Sequence, residues 1–285
     1  RAVQRVLIRP EVSGVVVTQP ADNIEETAYF VSISLSDVFQ NQNSKPIVFT
    51  TCMNTEDPMF DGTKNLLDSI RVACHDVKGD IPTVVVCMNG EIHAASRAQL
   101  THTNKASALA SPGWGPVGYV DRDNVYFRCG ALELDTGLNF PMLKKLTAKV
   151  PVVKAMCGDD GALLEMVLEK EPDAIIVEGF GRGNLPAGMM PAIKKAVKKG
   201  IFVVISTRAS SGRVLDSTVF PGSVAQCLES GCLLAGETTT AKARLLLMYV
   251  LSQKEAIQLK KEDPERFFAY VQECLDPVLT NRLFG

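Results

Sequence analysis

The chain has almost no net charge: 30 lysines and arginines face 32 aspartates and glutamates, a balance of -2. A basic footprint for nucleic acid is therefore missing, and no nucleic-acid partner is expected. No apolar run approaches the ~20 residues that cross a bilayer, so no membrane partner is expected either. No leader pattern opens the chain, which begins at Arg1; the expectation is a trimmed or incomplete start. The eight cysteines are scattered without C-x-x-C or zinc-ligand spacing, which leaves no metal and no cofactor to expect. Several lie inside apolar runs such as Val85-Val86-Cys87, where a thiol behaves as a small hydrophobe. Reduced thiols and a cytoplasmic location follow as expectations. Residues 179–186 are glycine-rich but lack the G-K-[ST] ending of a phosphate loop. Internal repeats and low-complexity tracts are also missing.

What is present looks enzyme-like. The chain has 285 residues, 46% hydrophobic and 22% charged, enough for one large or two medium domains with a sizeable core. Continuous apolar runs at 14–18, 46–51, 83–88, 150–156, 174–179 and 202–207 read as strands covered on both faces of a parallel sheet. Amphipathic segments at 24–38, 64–76, 161–170 and 189–199 fit between them, and Gly200 after Lys198-Lys199 is a helix stop. Strand–helix alternation predicts a doubly wound α/β fold. The pattern breaks at 118–129, which reads as a β-hairpin around the polar turn 121–124. Residues 130–149 have no clear period and carry Gly137 and Pro141, so they read as a linker. The expected organisation is an α/β domain over 1–129, that linker, and a smaller α/β domain over 150–285, ending in helices near 238–251 and 264–275.

The most informative stretch runs Thr18-Gln19-Pro20-Ala21-Asp22-Asn23-Ile24-Glu25-Glu26-Thr27-Ala28-Tyr29-Phe30. A buried strand ends, a polar turn follows, and an acidic helix begins. Such a turn lies at the carboxyl end of a strand, where ligands bind in open α/β sheets. It resembles the T-H-G-T-D-T-x-E-E-T-A-Y-F signature of the bacterial-type L-asparaginase/glutaminase family. Further matches occur in order: Asn89-Gly90-Glu91-Ile92-His93, Thr101-His102-Thr103, Gly115-Pro116-Val117-Gly118-Tyr119-Val120, Gly158-Asp159-Asp160-Gly161 and Val177-Glu178-Gly179-Phe180-Gly181-Arg182-Gly183-Asn184. The resemblance implies a two-domain asparaginase-like fold: mostly parallel sheets, flanking helices and one β-hairpin. It implies a small polar amide or amino-acid-like ligand, and a homodimer or homotetramer with each site built from two subunits. Asn184 would then point toward the partner's pocket, and Met189-Met190 would help bury the interface.

The departures concern chemistry. Ala21 stands where the family has its second catalytic threonine, and Leu100 where it has its lysine. The family's G-A-M-R-P loop becomes Thr51-Cys52-Met53-Asn54-Thr55. Its N-terminal T-G-G-T-I turn has no counterpart here; the first residues resemble the helix before the second strand. Amide hydrolysis needs a hydroxyl nucleophile, a base and oxyanion donors. Ala21 supplies no hydroxyl and Leu100 no base. Asp22 keeps its family position, either for a substrate ammonium or as a cap on the helix that follows. Gln19 and Asn184 are the other candidate binding residues. Cys52 is either a strand-end nucleophile, paired with His93 or His102, or a packed small side chain. The expected function is an amidohydrolase scaffold whose ordinary asparaginase reaction is lost or much reduced. Two alternatives stay open: an active amidohydrolase with its threonine on an upstream segment or with a diverged substrate, and a non-catalytic binding or scaffold subunit.

Overall fold

A computed structural model describes residues 1–36, 45–55, 60–75, 83–128, 140–215 and 218–276. It divides into two compact units, Arg1–Met142 and Leu143–Gly285. Among the described residues no helix is long and apolar enough to cross a membrane.

In the first unit, β1 (Val15–Thr18), β2 (Ile47–Thr50) and β3 (Val84–Met88) pair in parallel, with Val15 opposite Ile47 and Ile47 opposite Val84. The side chains alternate across the sheet, as the pleat requires. Ile47, Phe49, Val84, Val86 and Met88 join one buried cluster. Val48, Val85 and Cys87 join the other. Helix α1 (Ala2–Leu7) and helix α2 (Ile24–Ser34) add Leu7, Ile24 and Ala28 to the first cluster. Helix α3 (Gly62–Cys74) adds Val72 and Ala73 to the second. Helices thus cover both faces, as the apolar runs predict. Close approach of α3 to the start of β1 needs Gly14: a Cβ there would lie 2.1 Å from the Ala73 carbonyl oxygen.

The sheet then turns antiparallel. Strand β4 (Glu91–Ala94) folds back on β3. The connecting Asn89 and Gly90 both have positive φ, 53° and 79°, as a two-residue hairpin requires. A separate short pair, β5 (Gln99–Leu100) with β6 (Leu109–Ala110), follows. The predicted hairpin is β7 (Gly118–Asp121) with β8 (Asn124–Phe127), joined to the sheet through β4; Cys129 lies outside the described residues.

The second unit is a parallel sheet of four described strands in the order β12-β11-β10-β9: β9 (Val152–Lys154), β10 (Ala174–Gly179), β11 (Phe202–Thr207) and β12 (Leu233–Leu234). Helices α4 (Ala162–Leu168), α5 (Met190–Lys198) and α6 (Val224–Glu229) bury Leu164, Leu168, Ile193 and Val224 against Ile175, Val177, Val203 and Ile205. Helix α7 (Thr240–Val250) packs on β10; α8 (Lys254–Glu262) and α9 (Pro264–Leu275) complete the unit. Gly200 ends α5 with φ +73°, as its sequence position predicts. At the β12 rim, the Gln272 carboxamide of α9 accepts from the Leu234 N–H (2.9 Å) and donates to the Leu234 carbonyl (3.0 Å).

The expected linker 130–149 divides. Residues 130–139 lie outside the described residues. From Leu143 onward the chain belongs to the second unit. The Leu143 N–H donates to the Tyr249 hydroxyl (3.1 Å), and those of Thr147 and Ala148 donate to Ser252 Oγ (2.8 and 3.1 Å). A segment without helix or strand periodicity is here ordered by hydroxyls.

Candidate ligand site at the strand ends

Strands β1 and β2 end in register, Thr18 opposite Thr50. The ladder reaches one step further, where the Gln19 N–H donates to the Thr50 carbonyl (3.3 Å). The two chains then part. The first passes Pro20 into a 3-10 turn, Ala21–Asn23, and enters α2. The second runs through residues 51–55 toward α3. Between them opens a cavity of about 790 Å³ whose described lining includes Gln19, Ala21, Asp22, Cys52, Phe60 and Leu66. That size falls within the ~300–1,000 Å³ typical of small-molecule sites.

The loop after β2 is fixed by a polar clamp. The Asp61 carboxylate accepts from the Met53 and Asn54 N–H groups at 3.1 Å each. Asn65 is buried; its Nδ2 donates to the Thr51 carbonyl (2.9 Å) and its Oδ1 accepts the Asn89 N–H (2.9 Å). One side chain therefore ties together the ends of β2 and β3. Thr50 is also committed: its hydroxyl donates to the Cys87 carbonyl at 2.9 Å. Behind it, burial pushes the Cys87 thiol up to about 12, which leaves an inert packed thiol.

Gln19, Ala21 and Asp22 are brought together on this wall. Gln19 directs its Nε2 toward Asn23 Oδ1 (3.2 Å) and Thr27 Oγ1 (3.4 Å). Asp22 is exposed and has no hydrogen-bond or ion-pair partner among the described residues. It does not cap α2: the 3-10 turn moves the N-cap to Asn23, which makes no side-chain cap bond. Leu100 is not among the described lining residues. It lies half-buried on β5 and donates its N–H to Glu25 Oε2 (2.6 Å), near the start of α2. Asn184 belongs to the second unit, where its Oδ1 accepts the Val224 N–H (3.2 Å) at the start of α6; Met189 and Met190, expected at an interface, are instead buried in that unit's own core.

Cys52 lines the cavity, half-buried. The suggested histidine partners are elsewhere. His93 is buried on β4 with Nδ1 2.9 Å from Ser111 Oγ. Its Nε2 is 3.3 Å from Glu91 Oε2, without hydrogen-bond alignment. Burial lowers the His93 pKa, and the Glu91 charge opposes that shift in part. His102 Nδ1 accepts the N–H groups of Asn104 and Lys105. Lys64 is paired with Asp68 on α3. The described lining therefore offers hydroxyls, a thiol and one carboxylate, but no amine or imidazole base. Sequence reasoning missed Phe60, Leu66, Asp61 and Asn65 as site residues. Asp61-Gly62 and Asn65-Leu66-Leu67, which resemble the family's helix after its second strand, are the signal that pointed there.

Fold and site together define a two-unit α/β protein with a cavity at the carboxyl ends of parallel strands. Residues 1–131 match the asparaginase N-terminal domain. Residues 149–262 match the glutaminase/asparaginase C-terminal domain. An L-asparaginase of Bacillus licheniformis is 30% identical over 263 residues, covering 91% of this chain and 78% of that protein. A crystal structure of a probable cytoplasmic L-asparaginase from Campylobacter jejuni superposes with TM-score 0.78 at 26% identity, covering 94% of this chain and 82% of that one. One subunit of a glutamyl-tRNA(Gln) amidotransferase from Haloquadratum walsbyi is 26% identical over 86% of this chain, which spans 55% of that protein. The chain belongs to the asparaginase/glutaminase family.

Proposed function

We propose that the cavity between β1 and β2 holds a small amino-acid-like or amide ligand and that the chain does not turn over asparagine as an ordinary asparaginase does. The observation that carries this reading is Ala21 on the cavity wall, at the position where the family motif has a threonine. Leu100, at the lysine position, reinforces it: its side chain carries no base, and its backbone N–H donates to Glu25 on the motif helix. Asp22 remains available to meet a ligand ammonium. Loss of one member of such a catalytic unit costs about three to six orders of magnitude. The test is ammonia release from L-asparagine by purified protein. No release above background is expected; turnover of ~1 per second or faster, in the usual enzyme range, would overturn the reading.

Self-association belongs to the same proposal. Leu67 and Ile70 leave 48% and 44% of their surface uncovered on α3, an apolar patch suited to a second copy. Light scattering should give a dimer or tetramer; a mass near 30.9 kDa would contradict this. A binding or scaffold subunit is the second reading: the similarity to a subunit of an amidotransferase supports membership of a larger assembly, and Ala21 and Leu100 support the absence of turnover. A cytoplasmic location and the lack of a nucleic-acid partner complete the proposal. They are supported by the free thiols among the described cysteines and the near-neutral charge.

A further inference from the structure

The cavity wall is mostly apolar; Thr18, Thr55 and Thr63 add hydroxyls and Cys52 a thiol, while other polar groups of the lining are already engaged. Thr50 gives its hydroxyl hydrogen to the Cys87 carbonyl. Thr51 Oγ1 lies 3.4 Å from the Cys52 carbonyl. Gln19 aims its amide nitrogen at Asn23 and Thr27. Around them, Pro20, Ala21, Met53, Phe60 and Leu66 present hydrocarbon and thioether. Phe60 is 48% exposed, so a ligand that covers it removes apolar surface from water. Asp22 lines the same cavity with no described partner for its carboxylate.

A carboxamide side chain is too small and polar to cover Phe60 and Leu66, and would leave that hydrocarbon exposed to water. An aromatic ring suits it better. Phe60 can stack on such a ring, and the Met53 sulfur can meet its edge. A single carboxylate beside hydrocarbon matches one ammonium on an apolar body.

We propose that this site takes an amino-acid-type ligand with a free ammonium and an aryl-sized apolar side chain in place of the carboxamide. The ammonium meets Asp22, and the side chain lies against Phe60, Met53 and Leu66. The inference rests on the reading of the cavity as the ligand site, and goes further by naming the ligand class.

The test is calorimetric titration of the full chain with three probes: L-phenylalaninamide, N-acetyl-L-phenylalaninamide and L-asparagine. Phenylalaninamide should bind at least tenfold more tightly than asparagine. Acetylation, which removes the positive charge, should weaken it at least tenfold. Phe60→Ala, at an exposed position, should weaken phenylalaninamide on the order of tenfold and leave asparagine little changed. Asp22→Asn should weaken both ammonium-bearing probes. Asparagine binding as tightly as phenylalaninamide would overturn this inference and leave the ligand-site reading standing. Failure of all three probes at millimolar concentration would overturn both. An unchanged affinity for phenylalaninamide in Phe60→Ala would remove the apolar wall from recognition, and an unweakened acetylated probe would remove Asp22.

Discussion

The two sheets end differently. In the second unit the polar groups at the carboxyl ends of the strands satisfy one another. The Glu178 carboxylate accepts from Thr240 Oγ1 (2.7 Å) and pairs with Lys154 Nζ (2.9 Å). Thr240 lies 3.0 Å from Ser206 Oγ. The next loop closes on itself through a bridge between Phe180 and Asn184, and Asn184 reaches on to Val224. In the first unit the equivalent ends part around a cavity, and Asp22 has no described partner. Both units share the strand–helix plan. What separates them is whether the polar groups at the strand ends are already committed. A carboxylate held by a lysine and a threonine belongs to the scaffold; a carboxylate left open beside a cavity is available to a ligand.

The sharpest way to test that contrast is to rebuild the altered end. Ala21→Thr and Leu100→Lys should be introduced together, in a chain extended upstream of Arg1 by a T-G-G-T-I-type strand turn. Ammonia release from asparagine should then rise, and by more than the two single changes combined, because members of a catalytic unit act non-additively. Equal recovery from one single change would show that the two positions do not act as a unit.

A smaller effect should appear in stability. Glu178→Ala removes the partner of Thr240 and Lys154 at a site with 15% side-chain exposure. It should cost about 1–3 kcal/mol in urea unfolding. Asp22→Ala removes an exposed group without a described partner and should stay within about 0.5 kcal/mol. Similar costs for the two would erase the contrast.

The smallest effect is pH dependence. Burial lowers the His93 pKa below its usual 6.5, with Glu91 opposing. The unfolded chain therefore binds a proton that the folded chain refuses. Stability should fall as pH drops from about 6.5 toward the lowered folded value, and level off below it. His93→Gln should flatten that part of the profile; an unchanged slope would assign it to other groups.

Much of the fold is legible in the sequence because the apolar runs carry it. Ile47–Thr50 and Val84–Met88 are buried throughout, so no surface pattern obscures them. Strand β4 is not legible as a strand. Glu91 and His93 interrupt its apolar pattern, although His93 is buried against Ser111. Segment 143–149 reads as a linker because its order comes from Tyr249 and Ser252, about a hundred residues later. At the site, Gln19, Ala21 and Asp22 stand close together in one motif and are readable together. Phe60 and Leu66 are not: they reach the same wall only through the fold of β2 onto α3, and the Asp61-Gly62 helix start between them marks the segment without marking its role. The capping role for Asp22 fails because a 3-10 turn intervenes before α2.

The Gln272 carboxamide has a consequence for how this protein avoids trouble. The rim of a sheet is a template for any extended peptide that passes. At Leu234 both backbone groups are already engaged by a side chain, itself fully buried. An incoming strand would have to displace α9 and strand a buried amide, at about 1–3 kcal/mol. With Gln272 in place, the Leu234 N–H and carbonyl are closed to a pairing strand.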